Sequence, residues 1–135
     1  MKRSSGILLP ISSLPSPYGI GTFGKAAYDF ADFLKASGQK YWQVLPLGPT
    51  SYGDSPYQSF STFAGNPYFI DLELLVKDKL LTKREISAEN WGTNPRYVDY
   101  GQIYTSRFKI LEKAKARGYK DALGEISYFK RIIRG

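Results

Sequence analysis

The chain contains no cysteine and no histidine. Without cysteine there is no disulfide framework and no thiol nucleophile. Without histidine there is no Ser-His-Asp triad and no imidazole-bound metal within this chain. Long apolar runs are missing as well; the longest are a few residues, far short of the ~20 that a membrane-spanning helix needs. The opening Met-Lys-Arg is basic, but the following "SSGILLPISSLP" is too short and too broken by proline for a signal peptide. The expectation is a cytoplasmic protein with no membrane partner. Internal repeats and low-complexity tracts are also lacking, which excludes a repeat architecture.

What is present is globular: 135 residues with 42% hydrophobic and 16% aromatic content, including eleven tyrosines. One domain with a single core is the expectation at this length. The net charge of +7 points at first towards nucleic acid. Its distribution points elsewhere. Residues 1–106 hold ten Lys/Arg against nine Asp/Glu, whereas residues 107–135 hold nine against three. The surplus sits in one C-terminal segment, as on a solvated helix face, and the tyrosine-rich part of the chain is nearly uncharged. A nucleic-acid partner is not expected.

"GILL" (6–9), ended by Pro10, reads as a buried strand. In "KAAYDFADFLKAS" (25–37), Ala27, Phe30, Ala31 and Leu34 fall on one helical face, and Gly38 stands where a helix stop is expected. "YWQVLPL" (41–47) reads as a second buried strand, with Trp42 and Val44 alternating towards the core. Strand, helix and strand with short joints predict a βαβ unit with parallel strands. "IDLELLVKDKLL" (70–81) is a short strand or a helical turn, followed by a polar segment to about residue 97. The spacing predicts a helix over 101–117, with Ile103, Phe108 and Leu111 on one face and Gly118 after it. A weaker helix over 121–133 is interrupted by Gly124.

Residues 19–24 read Gly-Ile-Gly-Thr-Phe-Gly, the GxGxxG spacing of a dinucleotide-binding turn. That turn must be tight, and the following strand should close on an acid for the ribose. Here about nine residues, two of them proline, separate Leu9 from Gly19, and the next strand ends "VLPLG". The glycines are therefore expected to let a loop double back over the strand ends.

"SYGDSPYQSFSTFAGNPYF" (51–69) has three Tyr, three Phe, four Ser and one charge, Asp54, with neither helical nor strand periodicity. In parallel α/β folds the loops after the strands carry the site. Flat aromatic faces mixed with Ser, Asp, Gln and Asn suit a sugar, whose C–H face stacks while its hydroxyls need partners. A proline- and glycine-rich loop packing its own aromatics is the alternative.

The wording of three segments goes further. "GILLPISSLPSPYGIGTFG", "GQKYWQVLPLGPTSYGDSPYQSFSTFAGNPYFIDLELL" and "VDYGQIY" together resemble the N-terminal part of the 4-α-glucanotransferases, the amylomaltases or disproportionating enzymes of glycoside hydrolase family 77. The resemblance spans about residues 3–125. It implies an α/β fold, the N-terminal part of a (β/α)8 barrel of the α-amylase type, incomplete in this chain. Residues 1–50 would form the first βαβ units, and residues 51–135 the substrate-cleft loop and the start of an inserted helical subdomain. It implies transfer of a 1,4-α-glucan segment to the 4-hydroxyl of another glucan, with maltooligosaccharides as partners and neither metal nor organic cofactor. Tyr57 matches the family's tyrosine that stacks on the sugar beside the broken bond, and Ser55 would line the same cleft. Tyr52 and Tyr104 match two tyrosines of a second glucan-binding groove. Asp54 would hold the turn with Gly53, and Gln58 and Asn66 would satisfy loop backbone groups.

The resemblance also has limits. Many family members carry His-Pro at the end of the first strand, where this chain has Pro10-Ile11. Retaining chemistry needs two carboxyl groups ~5–5.5 Å apart, and none of the twelve acids here matches the family's catalytic carboxylates. No catalytic residue is therefore assigned. A barrel typically needs ~250 residues, so a truncated portion of the enzyme is expected, with a non-catalytic glucan-binding fragment as the alternative.

Overall fold

The computed structural model describes residues 3–50, 53–61 and 63–134, with side chains described up to residue 118. Two strands, β1 (Gly6–Leu8) and β2 (Tyr41–Gln43), pair in parallel, with Gly6 opposite Tyr41, Ile7 opposite Trp42 and Leu8 opposite Gln43. Helix α1 (Lys25–Ala36) joins them, so the expected βαβ unit is present. Ala27 and Leu34 are buried and Phe30 is half-buried, as the helical spacing requires, but Ala31 is exposed at the edge of that stripe. The helix stops where the Ser37 hydroxyl donates to the Phe33 carbonyl and Gly38 turns left-handed at φ 72°.

Trp42 is half-buried and packs against the first core cluster, in keeping with its reading as core. Its ring meets Phe30 edge-on at 4.9 Å, and its indole Nε1 donates to the Leu9 carbonyl at 2.8 Å. Ile11, Leu14 and Ala27 complete this first cluster. The strands themselves differ from expectation. β2 is three residues rather than seven, and both strands alternate exposed, half-buried, exposed. The ladder's last bond runs from Leu9 N–H to the Gln43 carbonyl; Pro10 cannot donate, and Pro46 breaks the other strand. Parallel strands are normally covered on both faces; here helix α1 covers one, so Leu8 and Tyr41 stay in solvent.

The 70–81 segment resolves in favour of helix. Asp71 caps α2 (Leu72–Lys77) by accepting from the Leu74 N–H at 2.9 Å. A second short helix, α3 (Lys83–Ser87), lies inside the segment read as merely polar. Its start is a capping box in which Thr82 and Glu85 satisfy each other's backbone N–H groups. The two helices expected over 101–117 and 121–133 are one, α4 (Tyr100–Arg134), running through Gly118 and Gly124. An isolated glycine costs a helix only about 1 kcal/mol, too little to stop a long one.

The buried face of α4 is Ile103, Ser106, Arg107, Ile110 and Ala114; of the expected Ile103, Phe108 and Leu111, only Ile103 is buried. Positions 103, 107, 110 and 114 form one continuous stripe at helical spacing. Hydropathy skips it because its second member is an arginine. Ile110 and Ala114 pack with Leu72, Leu81 and Ile86 into a second cluster, while Ile103 joins Ile20 and Tyr68 in a third.

Candidate functional site

The loop after β2 is built as a clamped turn. At its near end Thr50 and Ser59 form an antiparallel bridge, and the Asn66 N–H donates to the Leu47 carbonyl at 2.9 Å. At its tip Gly53 (φ 90°) and Asp54 (φ 54°) are both left-handed, a conformation that glycine and aspartate tolerate best. The Thr50 hydroxyl reaches Asp54 Oδ1 at 3.4 Å, so the expected turn role of Asp54 is present. Asn66 behaves as anticipated: its Oδ1 accepts from the Tyr68 N–H at 2.9 Å and caps a short 3₁₀ turn, Pro67–Phe69. Gln58 binds the loop through its backbone N–H, which donates to the Ser55 carbonyl.

This turn brings Ser55 and Tyr57 together. The Ser55 hydroxyl accepts from the Tyr57 N–H at 3.4 Å, and the Tyr57 ring is 73% exposed. Phe60 and Phe63 are exposed on the same loop. Tyr104 belongs to a different group. It lies on α4, is largely exposed, and meets Phe108 at 5.1 Å; Phe108 meets Tyr68 at 5.9 Å, and Tyr68 meets Tyr100 at 5.9 Å. Tyr52 lies outside the described residues.

Between the strand ends and this aromatic row is a small cavity of about 130 Å³. Ile11, Leu45 and Phe69 line its apolar side, and Thr50, Asp54, Asn66, Tyr68 and Tyr100 its polar side. Burial, and after it the charge of Asp54, pushes the Tyr68 phenol up to about 12 and moves Tyr100 the same way. Both phenols are therefore protonated donors throughout the neutral range. Sequence reasoning passed over Tyr68 and Tyr100, although Tyr100 stands inside the "VDYGQIY" segment.

Arg107 was missed as well. It is fully buried, its Nη2 donates to the Ile70 carbonyl, and its Nε and Nη1 have no partner among the described residues. Burial pushes its guanidinium down to about 10 despite the nearby Asp71 and Tyr68.

The GxGxxG segment binds the protein's own carboxylate. A Cβ at Gly24, the residue that starts α1, would collide with the Asp71 carboxylate. Asp71 Oδ2 also takes the Thr22 hydroxyl at 2.6 Å. The position where a pyrophosphate would face this helix is thus filled from within, and the loop doubles back as expected, with the Gly21 N–H donating to the Ser12 carbonyl. Among the described residues no three His, Cys, Asp or Glu side chains gather into a metal-binding group, and no helix is long and apolar enough to cross a membrane.

A parallel βαβ start with its polar and aromatic groups on the strand-end loop, followed by helices α2 to α4, defines the opening part of a (β/α)8 barrel of the α-amylase type, incomplete in this chain. The family profile described as 4-alpha-glucanotransferase matches residues 9–131, and the chain belongs to that family. It is 53% identical over 133 residues to the 4-alpha-glucanotransferase of Streptococcus pneumoniae, covering 98% of this chain and 26% of that protein. It is 62% identical over 104 residues to that of Clostridium butyricum, covering 77% and 21%. The structure of an amylomaltase from Streptococcus agalactiae in complex with acarbose superposes with a TM-score of 0.87 at 45% identity, covering 98% of this chain and 27% of that one. The chain spans about a quarter of the length of these relatives.

Proposed function

We propose that this chain supplies the N-terminal sugar-binding wall of a cytoplasmic 4-α-glucanotransferase, which transfers a segment of a 1,4-α-glucan to the 4-hydroxyl of another glucan or of glucose. Maltooligosaccharides and other α-1,4-glucans are its partners, and nucleic acid is not. Residues 1–50 form the first part of the barrel; residues 51–135 form the cleft loop and the start of a helical subdomain. The observation that supports this most is the clamped turn at the strand end. It presents the Tyr57 ring to solvent beside Ser55, an aromatic face next to a hydroxyl, within a region that matches the family throughout. Tyr57 stacks on the sugar beside the broken bond and Ser55 lines that cleft, while Tyr52 and Tyr104 serve a second groove.

For this polypeptide taken alone, the reading is glucan binding without transfer. Five of the described acids are engaged elsewhere. Asp71 and Asp99 cap helices, Glu85 caps α3 and pairs with Arg117, Glu89 pairs with Lys109, and Glu73 accepts from the Tyr18 hydroxyl. Of the described carboxylates, Asp54 lines the strand-end cavity, and retaining chemistry needs two.

Titration of the 135-residue chain with maltoheptaose tests the binding, and product analysis on maltotriose tests transfer. Binding that weakens about tenfold in Tyr57→Ala, the order expected for one lost ring contact, with no new chain lengths formed, supports the reading. Binding indifferent to Tyr57→Ala overturns the site. Transfer abolished by mutating one of the chain's own acids overturns the division of labour.

A further inference from the structure

The cavity beneath the loop has a chemistry that the family reading leaves unused. Asp54 offers a carboxylate, which only accepts hydrogen bonds; Tyr68 and Tyr100 offer phenols, which also donate. All three line the same space, yet among the described residues neither phenol oxygen is bonded to a protein group, and the carboxylate's one partner is the distant Thr50 hydroxyl. Tyr68 is only 5% exposed, a burial at which a hydroxyl normally finds a partner. Among the described residues the sealed unpaired groups are the two Arg107 nitrogens, and Tyr68 lines the cavity. Two residues that can donate and one that accepts line a space that the described residues leave open.

Size narrows the occupant. The cavity of about 130 Å³ has room for a few waters or for a hydroxymethyl arm with a water. Position narrows it further, because Pro56, between Ser55 and Tyr57, is part of the same lining. We propose that Asp54, Tyr68 and Tyr100 form a hydroxyl-binding notch, which takes one hydroxymethyl or hydroxyl group of a sugar whose ring stands on the loop carrying Ser55 and Tyr57. The sugar hydroxyl donates to Asp54 and accepts from a phenol. The notch rests on the glucan reading and deepens it: Tyr57 supplies a face that any pyranose can stack on, while the notch demands a hydroxyl at one place.

The test is maltoheptaose titration of the 135-residue chain, comparing the wild type with Asp54→Asn, Asp54→Gly, Tyr68→Phe and Tyr100→Phe. The Asn and Phe changes keep shape, and glycine keeps the left-handed backbone at position 54. Asp54→Asn and Asp54→Gly should each weaken binding about tenfold, the loss of a charge-assisted bond, and each Phe change by roughly threefold to tenfold. Asp54→Asn combined with Tyr100→Phe should cost less than the two single losses together, since both act on one hydroxyl. Unchanged affinity in Asp54→Gly would show a residue that only forms the turn and would overturn the proposal. Unchanged affinity in all four variants, with Tyr57→Ala still weakening binding, would leave the glucan site standing and reduce the notch to a water pocket. A wild-type chain that binds no maltoheptaose overturns both. Circular dichroism and urea midpoints identify a variant that has lost its fold, and the agreement of Asp54→Asn with Asp54→Gly then decides.

Discussion

Replacing Arg107 by methionine should stabilise the protein. The guanidinium is fully buried on α4 among Ile70, Asp71 and Tyr68, with one hydrogen bond to the Ile70 carbonyl and two nitrogens unpaired among the described residues. Burial lowers its pKa from 12.5 to about 10. At about 1.4 kcal/mol per tenfold, that difference corresponds to roughly 3 kcal/mol against the charged form. The sign follows from linkage. An unfolded chain holds the proton more tightly than the folded one between pH 10 and 12.5, so the penalty is complete at neutral pH and is relieved only above about 10. Methionine keeps the long apolar stem and removes the charge. It also removes the bond to Ile70, at the low end of the about 1.5–3 kcal/mol typical of a charged donor because that residue is partly exposed and its carbonyl can turn to water. The net expectation is a gain of about 1 kcal/mol. Arg107→Ala should instead lose about 2 kcal/mol or more, because a hole replaces the stem. Urea unfolding at pH 7, followed by tryptophan fluorescence, reads both, since Trp91 packs against the cluster that α4 completes. A methionine variant less stable than the wild type by 1 kcal/mol or more would show that the guanidinium is anchored by more than the Ile70 carbonyl. The same outcome would undo the claim that its desolvation dominates.

Three further outcomes are expected. Glu85 is held down to about 2 from 4.5, first by its bond to Arg117 and then by the Thr82 backbone and hydroxyl. A depressed carboxylate contributes stability above its unfolded pKa and loses it as pH falls from about 4.5 through 2, so the wild type should lose stability across that window more steeply than Glu85→Gln; equal slopes would dismiss the α3–α4 link. Gly24→Ala should lower the urea midpoint by the equivalent of about 1–3 kcal/mol, because its Cβ would push aside the Asp71 carboxylate that binds Thr22 and caps α2. An unshifted midpoint would mean that Asp71 is free to move. In a full-length enzyme carrying this N-terminus, Tyr57→Ala should cut the rate of transfer far more than Tyr52→Ala or Tyr104→Ala, which should chiefly change product size; equal rate losses for all three would show that the groove is misassigned.

The elements that the sequence made legible are those where period and punctuation agree. Helix α1 carries its apolar stripe between Gly24 and Gly38, and β1 and β2 fall inside the two runs read as strands, each shorter than its run. Where sequence reading failed, a tertiary partner decided. Nothing in residues 83–87 marks a helix by hydrophobicity, yet the Thr82–Glu85 box and the Arg117 pair hold one. The glycines at 118 and 124 read as stops, but a helix of 35 residues absorbs both. The buried stripe of α4 was hidden because one of its members is charged, and no hydropathy scale places an arginine at zero exposure.

The site divides along the same line. Ser55 and Tyr57 were legible because they are neighbours in one quoted stretch, and the turn that joins them needs only its own residues. The notch was not, because its parts come from three separate segments: Asp54 from the loop tip, Tyr68 from a 3₁₀ turn and Tyr100 from the start of α4. Their meeting depends on two contacts, of which sequence reading anticipated only the one made by Asn66. Asn66 caps the turn that carries Tyr68, and Asp99, by accepting from the Gln102 N–H at 3.0 Å, fixes the first turn of α4 and with it the place of Tyr100. Both are short polar side chains of the kind that sequence reading assigns to loops. Here their bonds place the two phenols, and Asp99 does not line the cavity, so substituting Asp99 should weaken sugar binding without that residue touching the sugar.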